Sequence, residues 1–580
     1  MNIRGYLVRK TYRPFLTALL GSLVMLSPAV MADSSFNERQ QRRLDDQQMI
    51  HRQEQQHALE QQLMPEAPDI RILPETLRSR QGDFPDEYPC FMIRQITLSG
   101  IEALPGWAQL ESQRLILKAR DKCLGAQGIN QLMSELQDTL IDHGWITTRV
   151  LAPQQDLVNG KLNLAILPGR VCRIAMSDDS TGYLTLSSAM PVRGDDILDL
   201  RDVEQGLENL QRLPSVKATM ELVPGEQPGE SDLIIKRKQG VPIRFGAWVD
   251  DSGTTSTGQF QGGVMMAIDN PFSLSDLFYV SLGHDLSFSS DKHSRNYSGH
   301  YSVPYGYWLF GVTVSDYDYA RTVSGINRDY RYSGHSDSMN AKLTRILHRG
   351  TYQKTSMTAE LITRQSRNYI GETELTEQRR NTSAWRLGLT HRHYIGQSTV
   401  DMGATYQRGI RGFGAHKVPE EYGVDSYATA MSHIIGLSSQ LSVPFTLSGQ
   451  GFRYITQYQY QRTNTPLTPQ DQFSIGGRWS VRGFDGERSL SADQGWYWRN
   501  ELAWQTPLQQ QELYIGVDHG EVLGRGTDLL NGTRLTGAVL GLRGMAFDTS
   551  YDVFAGAPIS KPEGFKTSPV ALGMSLNWQN

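Results

Sequence analysis

From residue 241 to the end of the chain, apolar and polar positions alternate with a period of two. The last segment is the clearest, because every second residue from Val570 to Trp578 is apolar and the residues between them are small or polar. One face of such strands suits lipid and the other suits water. A soluble sandwich also alternates, but its second face is rarely so small and uncharged over so many strands. Since no open sheet edge can face hydrocarbon, the pattern predicts a closed transmembrane barrel. About 340 residues, at about 20 per strand and turn, allow 16 antiparallel strands.

Two smaller units precede the barrel, which is predicted over residues 240–580. The first, residues 90–170, carries an amphipathic helical pattern at 129–143, between a strand pattern at 91–98 and two more at 146–151 and 162–166. In the second, residues 171–239, Asp199 can cap a helix that stops before Pro214, and alternating strands follow. The shared order predicts two consecutive β-α-β-β domains.

The N-terminal region divides into three segments. Residues 1–32 predict a secretory signal peptide, with a basic start, an apolar stretch and a small-residue cleavage site after Ala32. Residues 33–63 contain no Gly and no Pro and predict a helix of about 30 residues, roughly 45 Å long. Its larger apolar residues form no continuous stripe, and a helix that is polar on all sides does not pack into a core. The residues alone leave open a solvated arm and a helix in a wet channel. Residues 64–89 contain five prolines and predict an extended linker.

Composition and charge narrow the functional classes. The mean hydropathy of −0.43 is too polar for a bundle of membrane helices. A net charge of −4 gives no indication of nucleic-acid binding. The common hydrolase, metalloprotease and nucleotide-binding motifs are absent, so no catalytic residue, cofactor or metal ligand is expected. His284, Asp285 and Ser287 could be imagined as part of a hydrolytic site, but alternation along a strand directs them to different sides.

The chain has three cysteines. Cys90 and Cys123 flank the first small domain, and an exported protein meets an oxidising environment, so these two are predicted to form a disulfide. Cys172 is then expected to be a buried free thiol. With no CxxC motif and no histidine cluster near them, metal binding is not expected.

The segment from Phe473 to Trp504 carries the most specific motif, Val481-Arg482-Gly483-Phe484, between Gly-rich turns. It resembles the sixth extracellular loop of the outer-membrane protein 85 superfamily, in particular the transporters of two-partner secretion (the TpsB family). In that superfamily the loop, residues 470–490 here, folds back into the barrel lumen. Its arginine pairs there with an acidic residue in an F-x-D-x-G pattern of the wall.

This chain matches the wall pattern at Asp518 and Gly520, whereas Gly516 stands where the family has an aromatic residue. The resemblance therefore implies a lumen lock between Arg482 and Asp518. A bidentate pair of this kind fixes geometry as well as charge. In a wet lumen it contributes more to position than to stability.

The resemblance extends over the entire chain. Residues 144–149 are similar to the first, and residues 210–215, 223–225 and 229–233 to the second, of the two POTRA domains of that family. The implied fold is mainly β: a 16-stranded antiparallel transmembrane barrel, preceded by two α/β POTRA domains and an N-terminal helix. In that family the helix threads the barrel and blocks it at rest, which gives residues 33–63 the role of a plug.

The implied function is export through the Gram-negative outer membrane. A large TpsA-type client would leave the periplasm without ATP, after capture by the POTRA domains through β-augmentation. The implied partners are this client, outer-membrane lipid, and the barrel-assembly machinery and periplasmic chaperones during biogenesis. The resemblance does not separate a contact-dependent inhibition toxin, a haemolysin and an adhesin as clients. An insertase of the same superfamily is the alternative, although insertases usually carry more POTRA domains and lack the helix.

Overall fold

The fold was analysed in a computed structural model that describes residues 47, 49–65, 68–72, 83–289, 291–324, 328–422 and 427–580. The predicted signal peptide, residues 33–46 of the predicted plug helix and linker residues 66–67 and 73–82 lie outside this description. Within it, residues 49–63 form a helix, α1. No described helix is both long and apolar enough to cross a membrane.

The first POTRA domain packs two helices against short strands. Its elements are β1 (Phe91–Ile93), β2 (Gln95–Ser99), α2 (Gly106–Ala119), β3 (Lys122–Leu124), α3 (Ala126–Asp142), β4 (Arg149–Leu151) and β5 (Lys161–Leu167). The strands β2, β5 and β4 form one sheet, and β1 pairs with β3. The apolar period predicted α3, whose Leu132, Leu136 and Leu140 are buried. It missed α2, whose buried residues are the small Ala108, Ser112 and Ala119.

The second POTRA domain repeats the plan with β6 (Arg170–Met176), α4 (Leu186–Ala189), α5 (Leu200–Gln211), β7 (Val216–Pro224) and β8 (Glu230–Gln239). The sheet order is β6-β8-β7. The Asp199 side chain caps α5 by accepting a hydrogen bond of 2.8 Å from the backbone N–H of Arg201. Within α5 every residue from Val203 to Leu210 is buried, because the helix packs on its own sheet on one side and on the barrel rim on the other.

The structure joins Cys90 to Cys123, next to the paired strands β1 and β3. The expectation of a buried Cys172 was wrong, because that side chain is exposed. Its strand, β6, lies at the edge of the sheet and has a register shift between Val171 and Arg173 where it pairs with β8. Val171, directly before Cys172, is fully buried, so alternation along the strand directs the Cys172 side chain to the opposite face.

The barrel is a closed antiparallel sheet in which the last strand pairs with the first. Its elements in chain order are β9 (Ile243–Asp250), β10 (Gln261–Asp269), β11 (Leu277–Asp285), β12 (His293–Tyr305), β13 (Trp308–Ser324), β14 (Asp329–Arg349), β15 (Gln353–Ile370), β16 (Thr373–Glu374), β17 (Arg380–Ile395), β18 (Ser398–Ile410), β19 (His433–Leu447), β20 (Gln450–Thr463), β21 (Phe473–Ile475), β22 (Leu490–Ala492), β23 (Gln494–Gln505), β24 (Gln511–Leu523), β25 (Arg534–Ala546), β26 (Thr549–Ser560) and β27 (Ala571–Gln579). The short β16 pairs only with β15, and β21 pairs with β22 away from the wall. The wall therefore has the sixteen strands that the alternation predicted.

Each wall strand presents an apolar face to lipid and a small or polar face to the lumen. In β24, Leu513, Ile515 and Val517 are exposed on the outside, whereas Tyr514 and Asp518 are buried on the inside. The same alternation holds in β27, where Leu572 and Trp578 are exposed on the outer face. Pairing around the closed sheet supplies hydrogen-bond partners to the wall backbone, while the outer face carries apolar side chains toward lipid.

The C-terminal residue completes the closing seam. The Asn580 backbone N–H donates to the Phe245 carbonyl at 3.1 Å, and the Asn580 Oδ1 accepts from the Phe245 N–H at 2.7 Å. The two residues after Trp578 thus extend the pairing of β27 with β9 and do not form a free tail.

Candidate functional site

The lumen loop, residues 470–490, folds back into the barrel. Its two arms, β21 and β22, pair as a short antiparallel hairpin. At its tip, Val481 and Phe484 are buried against the apolar wall residues Val522 and Leu535. The Phe484 ring also meets Phe565 edge to face, with ring centroids 5.9 Å apart. The loop therefore sits on a small apolar core of its own within a lumen that is otherwise polar.

Glycines in the wall make room for the loop tip. A Cβ at Gly520 would lie 2.8 Å from Val481 Cγ2, and a Cβ at Gly537 would lie 1.9 Å from the carbonyl oxygen of Arg482. In the loop itself, Gly483 has φ +101°, and a Cβ there would approach the Ala557 carbonyl oxygen to 2.6 Å. Only glycine allows backbones to meet this closely and adopts this conformation without strain.

Gly516 departs from the aromatic residue of the family pattern for a reason that the structure makes visible. A Cβ at Gly516 would lie 2.7 Å from Arg482 Nη2. The guanidinium therefore occupies the space that a side chain would need. The aromatic ring on this face comes from Tyr514, two residues earlier, with its centroid 6.0 Å from Arg482 Cζ.

The structure brings Arg482 and Asp518 together. Arg482 Nε donates to Asp518 Oδ2 at 2.7 Å, and Nη2 donates to Oδ1 at 3.0 Å. The backbone N–H of Arg482 also donates to Asp518 Oδ2, at 3.0 Å. The third guanidinium nitrogen, Nη1, donates to Glu501 Oε2 at 2.6 Å. All three side chains are less than a tenth exposed, so each charge depends on its partner.

Two further arginines, which sequence reasoning missed together with Glu501, balance the charge around the lock. Arg543 Nη1 lies 2.8 Å from Glu501 Oε1, and Arg499 Nε lies 3.8 Å from Asp518 Oδ2. Arg499 and Glu501 belong to β23, directly after the motif, and their spacing of two places both on one face. That spacing was the signal that could have identified them. Because β23 directly precedes the strand that carries the wall pattern, one of its faces must line the same lumen.

Helix α1 lies within the barrel and contacts its wall at several places. On one side, His51 Nε2 lies 2.8 Å from the Ser252 carbonyl oxygen, and Gln55 Nε2 donates to Ser252 Oγ at 3.1 Å. On another side, the Arg52 guanidinium stacks on the Tyr319 ring with 3.2 Å between Cζ and the centroid. The Ser315 hydroxyl donates to Glu60 Oε1 at 3.1 Å. A helix that is polar on all sides is therefore matched to a polar lumen.

The helix also contacts the lumen loop. Gln47 Nε2 donates to the Ser489 carbonyl oxygen at 2.8 Å, and the rings of His51 and Trp479 lie 5.5 Å apart. A cavity of about 310 Å³ remains between the helix and the lock, and one of about 530 Å³ lies between the helix and strands β11 to β15. Helix and loop thus contact each other inside the lumen and leave cavities beside them.

Two expectations were wrong. The helix was expected not to pack into a core, and alternation along the strand was expected to direct His284, Asp285 and Ser287 to different sides. Leu59, near the end of α1, is buried in an apolar cluster continuous with the core of the second POTRA domain. His284 and Ser287 do meet at Asp285, because the chain turns after β11. The Ser287 hydroxyl, however, donates to the carboxylate and not to the imidazole, so this contact braces a turn.

Comparison with known proteins agrees with this geometry. The family model "Haemolysin secretion/activation protein ShlB/FhaC/HecB" matches residues 229–544. The models "POTRA domain, ShlB-type" and "POTRA domain" match residues 91–169 and 171–224.

Similar full-length proteins and a solved structure share the whole architecture. An outer membrane transporter CdiB-2 of Burkholderia pseudomallei (strain 1026b) is 36% identical over 515 residues, which cover 85% of this chain and 87% of that protein. The outer membrane transporter CdiB of Dickeya dadantii (strain 3937) is 31% identical, over 97% and 98%. The structure of CdiB from Acinetobacter baumannii superposes with a TM-score of 0.80 at 29% identity, over 93% of this chain and 99% of that one. The chain thus belongs to the haemolysin secretion/activation family ShlB/FhaC/HecB and is an outer-membrane transporter of two-partner secretion, with its POTRA domains in the periplasm.

Proposed function

We propose that the client is a contact-dependent inhibition toxin of the TpsA type. Four relatives named CdiB cover 85% to 97% of this chain, whereas the haemolysin transporters of Serratia marcescens and Proteus mirabilis cover about three quarters. The observation that carries the proposal is this full-length similarity, which includes the POTRA domains that face the client. A haemolysin and an adhesin are the competing clients.

Capture of an unfolded client needs an open strand edge. In the described part of the first POTRA domain, β2 and β4 form the two edges of the three-stranded sheet, and in the second domain β6 and β7 do so. An extended client segment can add to such an edge through main-chain hydrogen bonds, with little demand on its sequence. This fits a transporter whose cargo arrives unfolded.

Passage requires that α1 leave the lumen, and its contacts suit release. Its hydrogen bonds to the wall include those that link His51 and Gln55 to Ser252, and Glu60 to the Ser315 hydroxyl. Water can replace such bonds, and each one contributes only about 1 kcal/mol net. The lumen lock differs, because Arg482 and Asp518 are buried and doubly bonded. We propose that the lock fixes the lumen loop against the wall while the helix moves.

The proposed cycle uses no nucleotide and no bound cofactor, and we propose no enzymatic activity for the chain. Folding of the client outside the cell would make export one-directional, since the folded client cannot re-enter the pore. An insertase function is the second candidate, but no feature of the structure favours it over export.

The test is co-expression of the chain with the large secreted protein encoded beside it. We expect the client in the medium or on the cell surface only when the transporter is present. Levels of unrelated outer-membrane barrels serve as the readout for insertase activity, and they should not change. A fall in those barrels without any effect on the client would contradict export and support the insertase.

A further inference from the structure

Linker residues 68–72 lie between the second POTRA domain and the periplasmic rim of the barrel. The backbone N–H of Ile70 donates to Glu208 Oε1 at 3.2 Å, and that of Ile72 donates to Glu204 Oε1 at 2.7 Å. The Ile70 carbonyl accepts a hydrogen bond from Arg349 Nη2. Two N–H groups two residues apart that face the same side are the pattern of one edge of an extended strand.

The groups that hold the linker are buried and come from two different parts of the molecule. Glu204 and Glu208 belong to α5 of the second POTRA domain and are 0% and 6% exposed. Arg349 ends barrel strand β14; its Nε lies 3.0 Å from Glu204 Oε2 and its Nη2 lies 2.8 Å from Glu208 Oε1. Lys354 Nζ lies 2.6 Å from Glu208 Oε2. We call these four side chains the mouth clasp; it is complete only when the POTRA domain is docked on the barrel.

The four clasp side chains contact the main chain of the linker, whereas the Ile70 side chain packs against the apolar core of the second POTRA domain. Ile72 projects a side chain that is 37% exposed, and only its N–H is used. The neighbouring side chains point the other way: Asp69 accepts a hydrogen bond of 2.6 Å from the Tyr394 hydroxyl, and Arg71 stacks on the Tyr394 ring at 3.8 Å. Recognition through backbone groups tolerates almost any sequence except proline.

The position of the clasp restricts the plug. Helix α1 spans residues 49–63, about 22 Å. With residues 68–72 held at the mouth, only residues 64–67 join them to the helix, and four residues reach at most about 14 Å. The helix cannot leave the lumen on so short a tether. Once the clasp opens, the tether lengthens to residues 64–82, which can extend to about 65 Å. The residues that follow are held on the first POTRA domain, where Phe84 packs against its core and Glu87 accepts hydrogen bonds from the start of α3.

We propose that the mouth clasp is a binding site for an extended, unfolded polypeptide, occupied at rest by the linker as an internal substitute. An entering client segment takes the place of residues 68–72, and this exchange frees α1 to leave the barrel. The inference rests on the proposed export function for the identity of the ligand. The latch itself follows from the contacts of Glu204, Glu208 and Arg349 alone.

A pair of substitutions in the full-length transporter isolates the backbone contact. Ile72→Pro removes the N–H that Glu204 accepts, whereas Ile72→Ala keeps that N–H and shortens a half-exposed side chain. In planar bilayers we expect Ile72→Pro to raise the open fraction of single channels about tenfold, because a hydrogen bond to a charged group is lost. We expect Ile72→Ala to match the wild type. An equal open fraction in the two variants, whether at the wild-type level or above it, would overturn the backbone latch.

A second measurement requires no variant. A synthetic peptide with the sequence of residues 66–76 is added on the periplasmic side of wild-type channels, and a matched peptide carries N-methyl groups at the positions of Ile70 and Ile72. The unmodified peptide, and a scrambled one of the same composition with both prolines kept in place, should open channels in a dose-dependent way. The methylated peptide should not. Failure of the unmodified peptide, or equal action of the methylated one, would contradict the proposal.

The export function and the mouth clasp can be refuted independently of each other. The bilayer measurements need no client, so a latch that opens as expected in a transporter that secretes nothing would contradict export and leave the clasp standing. A transporter that secretes its client normally but shows no response to Ile72→Pro or to the peptide would keep the export function and refute the clasp.

Discussion

The guanidinium of Arg482 contacts three carboxylate oxygens on two strands, Asp518 on β24 and Glu501 on β23. A planar group with a fixed fork of donors can do this, whereas an ammonium is a point charge. The arginine therefore sets the position of the loop tip against two wall strands at once.

We expect Arg482→Lys to keep the charge but to lose the paired bonds, and to lower secretion of the client about tenfold. Arg488→Lys is the matched control. It makes the same change in the same loop, at a side chain that forms no ion pair within the described residues. Secretion is measured as client in the medium, normalised to the amount of folded barrel. Equal secretion by the two variants would show that the fork geometry is dispensable.

Sequence reasoning at this scale identified Arg482 and Asp518 from the motif but not Glu501 or Arg543. The motif names one residue on each side of a contact, whereas the remaining partners depend on strand register, which pairs Glu501 with Gly516 across β23 and β24. The exposure of Cys172 was also missed, although Val171 directly before it is buried and alternation along β6 directs the two side chains to opposite faces.

At the scale of elements, α5 joins the second POTRA domain to the barrel through the turn between β12 and β13. The Tyr307 hydroxyl in that turn donates to Asp202 Oδ1 at 2.5 Å. Burial raises the pKa of Asp202 to about 6, and the nearby charges of Asp199 and Asp196 add to the rise, although the bond from Tyr307 opposes it.

The raised pKa means that the folded state disfavours the Asp202 carboxylate. Its stabilising contribution is fully present below the ordinary value of 3.8, where the group is protonated, and is lost as the pH rises through about 6. We therefore expect docking of α5 to tighten between pH 7.5 and pH 5. Asp202→Asn should remove most of this dependence and, at pH 7.5, stabilise docking by about 1–2 kcal/mol after allowance for partial exposure.

Hydrogen exchange of the α5 amides in the full-length protein, corrected for intrinsic exchange at each pH, measures this effect. Protection should be about tenfold higher in Asp202→Asn than in the wild type at pH 7.5, and similar in both at pH 5. Asp195→Asn, at an exposed aspartate in the preceding loop, is the control. An unchanged pH profile in Asp202→Asn would refute the assignment.

The disulfide between Cys90 and Cys123 stabilises the first POTRA domain by closing a loop with a sequence separation of 33. Replacing both cysteines by serine should lower the free energy of unfolding of that domain by about 3–4 kcal/mol. Trypsin cleavage within residues 90–170, followed against urea concentration, gives the midpoint. Cys172→Ser should leave that midpoint unchanged because its side chain is exposed. A common midpoint for both variants would show that the bond contributes little.

At this scale the sequence predicted α3 and α5 from their apolar period and the barrel strands from their alternation. It failed for α2, because the buried face of that helix consists of small residues, which give no periodic pattern of large apolar side chains. The mouth clasp could not be predicted from the sequence either. It joins a linker, a POTRA helix and a barrel rim more than a hundred residues apart, through backbone groups that have no sequence signature.

At the scale of the molecule, we propose that three segments restrain the pore in series: helix α1 in the lumen, the lumen loop against the wall, and the linker at the mouth. The sequence left a solvated arm and a lumenal helix as alternatives for residues 33–63, and the contacts of residues 49–63 with β13 and with Ser252 favour the second. Deletion of residues 33–63 should therefore raise single-channel conductance in planar bilayers. Unchanged conductance would count against a plug.

The most direct test of the account is whether a client can pass while α1 is held in the lumen. Cysteines at Gln55 and Ser252, whose side chains are 3.1 Å apart between Nε2 and Oγ, are joined by a short reducible bis-thiol crosslinker in a Cys172→Ser background. Each single-cysteine variant, treated in the same way, is the control. The account predicts no client in the medium while the bridge is intact, and secretion at the control level after mild reduction. Secretion at the control level with the bridge intact would contradict it.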